Sequence, residues 1–143
     1  MTIAKMDAAT LTDAAELAQK LWPEAQLLRE EFSSLLKDAE FAVFLMYEQA
    51  KPVGFAQCQL RHDYVEGCET SPVGYLEGLF VEEAFRGKGM AKALLARCEA
   101  WAKAQGCAEF ASDCELSNTQ SIAFHKSVGF TEENRIVCFK KEL

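Results

Sequence analysis

The sequence lacks the segments that would carry a chain into or across a membrane. None of its apolar runs approaches the roughly 20 residues that a bilayer-spanning helix needs. Its first residues, MTIAKMDAATLTDAAELAQ, do not show the positively charged start and apolar centre of a secretory signal peptide. We therefore expect a cytoplasmic protein without a membrane partner.

Cysteine is present, but its spacing lacks the regularity of a disulfide framework or a zinc site. The six cysteines contain no Cys-x-x-Cys pair, and only His62 and His125 could add imidazole ligands. Neither histidine stands at ligand spacing from a cysteine pair, so we expect no metal. Several cysteines lie in apolar stretches, where a free thiol behaves as a small hydrophobic group, and we expect them to be reduced.

Positive charge is in deficit. Fifteen lysines and arginines oppose 22 aspartates and glutamates, which gives a formal net charge of −7. A nucleic-acid partner is disfavoured, because binding to the phosphate backbone requires the opposite sign. The same balance would attract a cationic small molecule, although it also serves solubility alone.

Apolar periodicity predicts one α/β domain over residues 1–143. Helical spacing predicts helices over 11–22, 27–36, 90–102 and 119–127. Strand patterns cover 3–6, 41–47, 53–60, 74–81, 109–113 and 136–140, with a turn at 49–52. This order predicts a mixed sheet, with antiparallel pairing in its first half and a parallel strand pair around the central helix.

A glycine turn, RGKGMA at 86–91, joins a strand to a helix. Consecutive amides at a helix N-terminus can bind a pyrophosphate, and Arg86 and Lys88 would add positive charge. A nucleotide P-loop is not matched, since its spacing and its hydroxyl residue are missing. A dinucleotide fingerprint is not matched either, because Lys92 stands where the third glycine belongs. An ordinary strand-to-helix turn is the remaining alternative.

Three segments in this order resemble the GNAT superfamily of N-acetyltransferases. They are the RGKGMA turn, the strand and asparagine of FASD…NT at 110–119, and the helix ending AFHKSVGF at 123–130. Four further segments are LWP at 21–23, RHDYV at 61–65, LEG at 76–78 and ASD at 111–113. With them the chain resembles, over nearly its whole length, the bacterial aminoglycoside 6'-N-acetyltransferases.

The resemblance implies a GNAT-like fold, with helices on both faces of the sheet and a splayed parallel strand pair that binds acetyl-CoA. It implies acetyl transfer to the 6'-amine of a cationic aminosugar antibiotic, hence resistance, by a homodimer. Backbone groups of Leu79, Phe80 and Val81 would bind the pantetheine. Asn118 would be a further contact with the cofactor. The pyrophosphate would be bound by the residues of the glycine turn and the first helical residues after it: Arg86, Gly87, Lys88, Gly89, Met90, Ala91 and Lys92.

Glu77 is a charged residue inside an apolar strand. With an alternation of period two it would share a face with Tyr75, Leu79 and Val81, and would not be freely solvated. It either forms an ion pair with an arginine or lysine, or it binds the substrate ammonium and accepts its proton directly or through a water. Asp113 would lie across the same cleft as a second catalytic carboxylate, or would cap a turn.

Other residues take roles only through the resemblance. Trp22 and Tyr64 would contact the substrate, although Trp22 could equally belong to the core and Tyr64 could instead anchor its loop. Asn134 stands where close relatives tend to have an acidic substrate contact, and His125 stands where many members have a tyrosine as general acid. The role of His125 stays open. Alternative functions are acetylation of polyamines or protein amines, and a non-catalytic CoA-binding module.

Overall fold

The chain forms a mixed five-stranded sheet with helices on both faces, in a computed structural model that describes residues 1–143. The strands are β1 (Thr2–Lys5), β2 (Phe41–Glu48), β3 (Lys51–Arg61), β4 (Val73–Val81) and β5 (Phe110–Ala111). The helices are α1 (Leu11–Leu21), α2 (Leu28–Leu35), α3 (Met90–Ala104) and α4 (Thr119–Ser127). The strands follow chain order, β1 to β4 pair antiparallel, and β4 pairs parallel with β5. The predicted α/β class and mixed sheet are confirmed.

Each face of the sheet carries its own apolar core. On the face covered by α3, which we call the α3 face, Leu94 and Cys98 are fully buried together with Cys58 of β3. On the opposite side, the α1 face, Phe32 of α2 packs against Phe55 of β3. Burial of one such side chain contributes about 1.5–3 kcal/mol. No helix combines the length and the apolar character needed to cross a membrane.

The parallel strand pair is short and opens into a cleft. Only Gly74 with Phe110 and Tyr75 with Ala111 are in register, so the rest of β4 lacks a partner on that side. The strands approach closely where they do pair, since a Cβ on Gly74 would lie 2.6 Å from the Phe110 ring. The predicted strand 109–113 is therefore shorter than expected, because the chain diverges from β4 after Ala111.

Glu77 occupies a β-bulge in β4. In the pairing with β3, Cys58 lies opposite Leu76 and Gln57 lies opposite Gly78, so Glu77 has no partner. An extra residue of this kind changes which face of the sheet the following side chains occupy.

The bulge overturns one expectation from the sequence. Leu79 and Val81 pack into the core of the α3 face. Glu77 lies on the α1 face with Tyr75, since Arg61 contacts both of them. The expected common face of Glu77 with Leu79 and Val81 is therefore wrong, because the bulge interrupts the period-two alternation between them.

The predicted strand 136–140 is also wrong. No residue after Phe130 belongs to a helix or strand, and every residue from 131 to 143 is exposed. A strand requires a neighbouring edge to satisfy its backbone groups, and no strand of the same chain lies beside this segment.

The turn between β2 and β3 consists of Gln49 and Ala50, whose φ angles are +48° and +69°. A residue with a Cβ costs about 1–2 kcal/mol in this left-handed region, and glycine does not. We expect Ala50→Gly to raise the free energy of unfolding by about 1 kcal/mol and Tm by about 3 °C, measured by thermal unfolding. Ala39→Gly, an exposed turn position without a positive φ, should not stabilise. An equal rise in both variants would contradict the argument.

Candidate active site

The glycine turn presents free backbone amides at the start of α3. Gly87 and Gly89 have φ angles of +76° and +79°, and a Cβ on either would meet nothing within 4 Å. Backbone conformation and not packing therefore requires glycine here. The first backbone hydrogen bond of the helix runs from the Ala93 amide to the Gly89 carbonyl, at 3.0 Å, so the amides of 90–92 precede it and can donate to a ligand. The Met90 side chain is buried in the α3-face core.

The two cations of the turn differ in what they contact. Arg86 donates from Nε to the Val81 carbonyl at 2.7 Å, and its guanidinium lies 5.6 Å from the centre of the Phe80 ring. Arg86 therefore fixes the turn against the end of β4. The Lys88 ammonium lies 5.6 Å from the Phe85 ring and stays at the surface. Amides, glycines and cations together fit a pyrophosphate.

The remaining predicted cofactor contacts lie at the edges of the open cleft. Leu79, Phe80 and Val81 belong to the part of β4 without a β5 partner, so their backbone groups on that side face the cleft. Such an edge suits an extended pantetheine chain with amide groups. Asn118 has a local role that the sequence did not indicate, because its Oδ1 accepts from the Ser121 amide at 3.1 Å and caps α4. Its contact with the cofactor stays a prediction.

Glu77 forms an ion pair through one of its two carboxylate oxygens. Oε1 accepts from Arg61 Nη2 at 2.8 Å and also from the side-chain amide of Gln59. No protein group donates to Oε2, and the side chain is 24 % exposed. The ion-pair interpretation of Glu77 therefore holds, with Arg61 as partner. It leaves the other oxygen available to a substrate.

Asp113 is connected to Glu77 through two further side chains. The Tyr75 hydroxyl donates to Asp113 Oδ2, and the Arg61 guanidinium stacks 3.4 Å from the centre of the Tyr75 ring. Burial and the bond to Asp113 raise the pKa of the Tyr75 hydroxyl, so it remains a donor. The structure thus brings the two predicted carboxylates into one network, Glu77–Arg61–Tyr75–Asp113.

Trp22 lies directly over the bulge. A Cβ on Gly78 would come within 2.6 Å of the Trp22 ring, so glycine is needed for this approach. Trp22 also makes an edge contact with Phe55, with ring centroids 5.9 Å apart. Its half-buried ring therefore belongs to the α1-face core and borders the Glu77 position at the same time.

Tyr64 and Asn134 meet at a third residue, Glu66. The Tyr64 hydroxyl donates to Glu66 Oε2 at 3.1 Å, and Asn134 Nδ2 donates to Oε1 at 2.7 Å. The bond to Glu66 raises the pKa of the Tyr64 hydroxyl. This group lies apart from the carboxylate network, although the intervening Val65 packs against Tyr75. The substrate contacts of Tyr64 and Asn134 stay predictions.

Glu109 anchors the loop that carries Tyr64. Its Oε1 accepts from the amides of Glu69 and Thr70, at 2.9 and 2.8 Å, and from the Thr70 hydroxyl. These bonds lower the pKa of the Glu109 carboxyl. The stability they contribute is therefore fully present above the ordinary carboxyl pKa and is lost as the pH falls through the lowered value.

His125 is held at both ring nitrogens. Nδ1 lies 2.7 Å from the Ser121 carbonyl oxygen, which can only accept, so Nδ1 carries a hydrogen. In the neutral ring Nε2 then accepts from the Ser112 hydroxyl at 2.9 Å. The role of His125 as general acid stays open.

Sequence reasoning missed the residues that hold Glu77. Gln57, Gln59 and Arg61 alternate with apolar residues along β3, and this polar period of two was the available signal. Gln59 and Arg61 contact Glu77 directly. Oε1 of Gln57 is buried and has no hydrogen-bond partner.

A glycine turn with free amides beside a splayed strand pair, together with the Glu77–Arg61–Tyr75–Asp113 network, is an arrangement typical of acyltransferases that use CoA. The chain belongs to the acetyltransferase (GNAT) family, whose family model matches residues 8–130. It is 47 % identical over 139 residues to aminoglycoside N(6')-acetyltransferase type 1 of Stenotrophomonas maltophilia, covering 94 % of this chain and 91 % of that protein. The enzyme of the same name from Acinetobacter haemolyticus is 39 % identical, covering 100 % and 99 %.

Solved structures agree with this assignment. AAC(6')-Iy in complex with the bisubstrate analog CoA-S-monomethyl-acetylneamine superposes with a TM-score of 0.96 at 35 % identity, covering 99 % of this chain and 98 % of that one. The apo structure of AAC(6')-IG from Acinetobacter haemolyticus gives 0.94 at 39 % identity, covering 100 % and 99 %. The predicted family, fold and use of acetyl-CoA are confirmed.

Proposed function

We propose that this protein transfers the acetyl group of acetyl-CoA to the 6'-amino group of aminoglycoside antibiotics and thereby confers resistance. The observation that carries this proposal is the similarity over nearly the full length to enzymes named for this reaction, at up to 47 % identity. The acidic network around Glu77 and Asp113 supports a cationic acceptor, because carboxylates bind ammonium groups.

One set of residues binds the acetyl donor, and another set binds the acceptor amine. Acetyl-CoA, when bound, supplies an activated acetyl thioester. The amides of 87–92 and the cations Arg86 and Lys88 bind its pyrophosphate, while the free edge at 79–81 orients the pantetheine chain. Holding donor and acceptor side by side can contribute about 7–11 kcal/mol to lowering the barrier.

The acceptor amine must lose a proton before it can attack. Oε2 of Glu77 accepts that proton, directly or through a water, since no protein group occupies it. Asp113 binds a neighbouring ammonium, and Trp22, Tyr64 and Asn134 line the rest of the acceptor site. The bond formed joins the amine nitrogen to the acetyl carbon, and the carbon–sulfur bond breaks. CoA leaves as a thiolate that takes up a proton from solvent, and the attacking nitrogen releases its second proton to solvent.

Release of the CoA thiol with a panel of amines tests the proposal. We expect turnover with kanamycin and tobramycin, and none with an aminoglycoside that differs from an accepted one only by a hydroxyl at the 6' position. The absence of turnover with the 6'-amines would overturn the proposal. Equal or higher kcat/KM for spermidine or a lysine peptide would favour the alternative acetyltransferase. Acetyl-CoA binding without transfer to any amine would indicate a binding module.

We also propose that residues 1–143 form one catalytic domain that works in the cytoplasm. Acetyl-CoA is available there. All six cysteines are free, and Cys114 and Cys138 are exposed, which suits a reducing compartment.

We further propose a homodimer in which the C-terminal segment 131–143 packs on a second copy. Ile136, Val137 and Phe139 are 68 %, 75 % and 92 % exposed, and the outer edge of β5 has no partner strand. Apolar side chains and a free strand edge are both satisfied by association.

Removal of residues 136–143 should convert the dimer to a folded monomer, because these residues add nothing to the buried core of the single chain. The mass in solution, measured by light scattering after gel filtration, checks this. Phe139→Asp should act in the same direction, while Leu116→Asp, at an exposed apolar residue outside the segment, should leave the dimer intact. A full-length chain that is monomeric at micromolar concentration would contradict the proposal.

A further inference from the structure

Arg61 lies between the carboxylates of Glu77 and Asp113 and does not contact the glycine turn. We propose that Arg61 is a positioning and specificity-determining residue, which fixes Glu77 so that only Oε2 faces the acceptor and which keeps a permanent cation inside a cation-binding site. The proposal rests on the acetyltransferase function proposed above. It adds a residue with a defined effect on the choice of amine.

The first step concerns the freedom of Glu77. Because Glu77 is the extra residue of a β-bulge, no residue of β3 stands directly opposite it to restrict its side chain. Its orientation depends on the two donors that share Oε1, Arg61 and Gln59. With these donors in place the second oxygen is directed away from them and has no protein partner. A proton acceptor must be held in one geometry to act efficiently.

The second step concerns how Arg61 is itself held. It is the last residue of β3, and its backbone pairs with Val73. Its guanidinium plane stacks on the ring of Tyr75, and the Tyr75 hydroxyl is bound to Asp113. The guanidinium therefore cannot move away from Glu77 without losing its stacking on Tyr75. A planar guanidinium can stack and donate in its plane at once. A lysine ammonium carries the same charge but cannot reproduce this combination.

The third step concerns charge. Two carboxylates and one guanidinium leave an excess of one negative charge, so the site attracts a cation less strongly than the carboxylates would alone. Arg61 also occupies the Oε1 side of Glu77, which prevents a second ammonium of the acceptor from binding there. A flexible polyamine, which is recognised by charge alone, is disfavoured more than a rigid aminosugar with further polar contacts.

Removal of Arg61 should therefore lower kcat without raising KM. For tobramycin, Arg61→Gln should lower kcat by about tenfold or more, because Glu77 loses its fixed orientation, while KM stays unchanged or falls. For spermidine, KM should fall at least threefold. The ratio of kcat/KM for tobramycin to kcat/KM for spermidine should therefore decrease. Arg61→Lys should retain the wild-type KM values but show the reduced kcat.

The experiment is steady-state kinetics with tobramycin and spermidine as substrates. The proteins compared are the wild type, the single variants Arg61→Gln, Arg61→Lys and Glu77→Gln, and the double variant that combines Arg61→Gln with Glu77→Gln. In the Glu77→Gln background, loss of Arg61 should change tobramycin kcat by less than twofold, because its effect acts through Glu77. Arg29→Gln is the matched control. It also removes one positive charge, but from α2, where Arg29 contacts Thr12. It should leave kcat and KM within twofold of the wild type.

The outcomes separate the two proposals. A wild type that acetylates spermidine but not tobramycin overturns the aminoglycoside function, and the same double-mutant cycle measured on spermidine still decides the role of Arg61. An unchanged kcat in Arg61→Gln, a raised KM with unchanged kcat, or additive losses in the double variant each overturn the role of Arg61. A wild type that acetylates neither amine overturns both.

Discussion

Replacement of Glu77 by glutamine should lower kcat/KM for tobramycin by about 10²–10⁴-fold, the range that a general base contributes. Glutamine keeps the size of the side chain but neither accepts a proton nor attracts an ammonium. Acetyl-CoA affinity should stay within twofold, because the free amides of the glycine turn lie beyond the C-terminal end of β4, at the start of α3, and not beside Glu77. Coupled thiol-release kinetics and calorimetric titration with acetyl-CoA measure the two quantities separately.

Two further variants sharpen this test. Asp113→Ala should also impair use of the aminoglycoside far more than acetyl-CoA binding, mainly through KM, since Asp113 contributes charge and holds the Tyr75 hydroxyl. Glu99→Gln removes a carboxylate from an exposed position of α3 and should change neither quantity. Parallel losses of amine use and acetyl-CoA affinity in the Glu77 variant would be incompatible with its assignment to the acceptor.

Replacement of Gly89 by valine should raise the Kd for acetyl-CoA by about 10–100-fold. Gly89 has a φ of +79°, where a β-branched residue is strained, so the amides after it would shift from the positions that can reach a pyrophosphate. A hydrogen bond to a charged group contributes about 1.5–3 kcal/mol, which corresponds to this range of affinity. Calorimetric titration with acetyl-CoA measures the change.

Gly106→Val is a matched control for this variant. Gly106 follows the other end of α3, has a φ of +93°, and like Gly89 has nothing within 4 Å of its Cβ position. Both substitutions therefore introduce comparable backbone strain at opposite ends of one helix, and both should lower Tm. If Gly106→Val weakens acetyl-CoA binding as much as Gly89→Val does, general destabilisation and not the turn explains the effect.

Much of the fold could be predicted because its signals are local. The apolar stripe of α3 and the continuous apolar run of β2 are patterns within one element. They can be recognised without knowing which elements lie beside them. The glycine turn is local too, since the positive φ angles of Gly87 and Gly89 explain why these residues are glycine. The strand expected at 136–140 was wrong because strand formation depends on a partner outside the segment.

The candidate site was less predictable, because its decisive contacts cross between strands. The carboxylate of Glu77 was visible in the sequence, but not the bulge that turns it away from Leu79. Its partner Arg61 is 16 residues away along the chain, and only the register of β3 against β4 brings the two together.

The sequence by itself determined the family, most of the elements and their order, the glycine turn and the presence of an acidic residue in the strand before it. These properties depend on residue type and short-range spacing. Only the tertiary structure decided which face of the sheet Glu77 occupies, that Arg61 and Gln59 bind one of its oxygens, and that Tyr75 links Arg61 to Asp113. The physical reason is strand register: one inserted residue reverses the faces, and no pattern within a single strand specifies what stands opposite it.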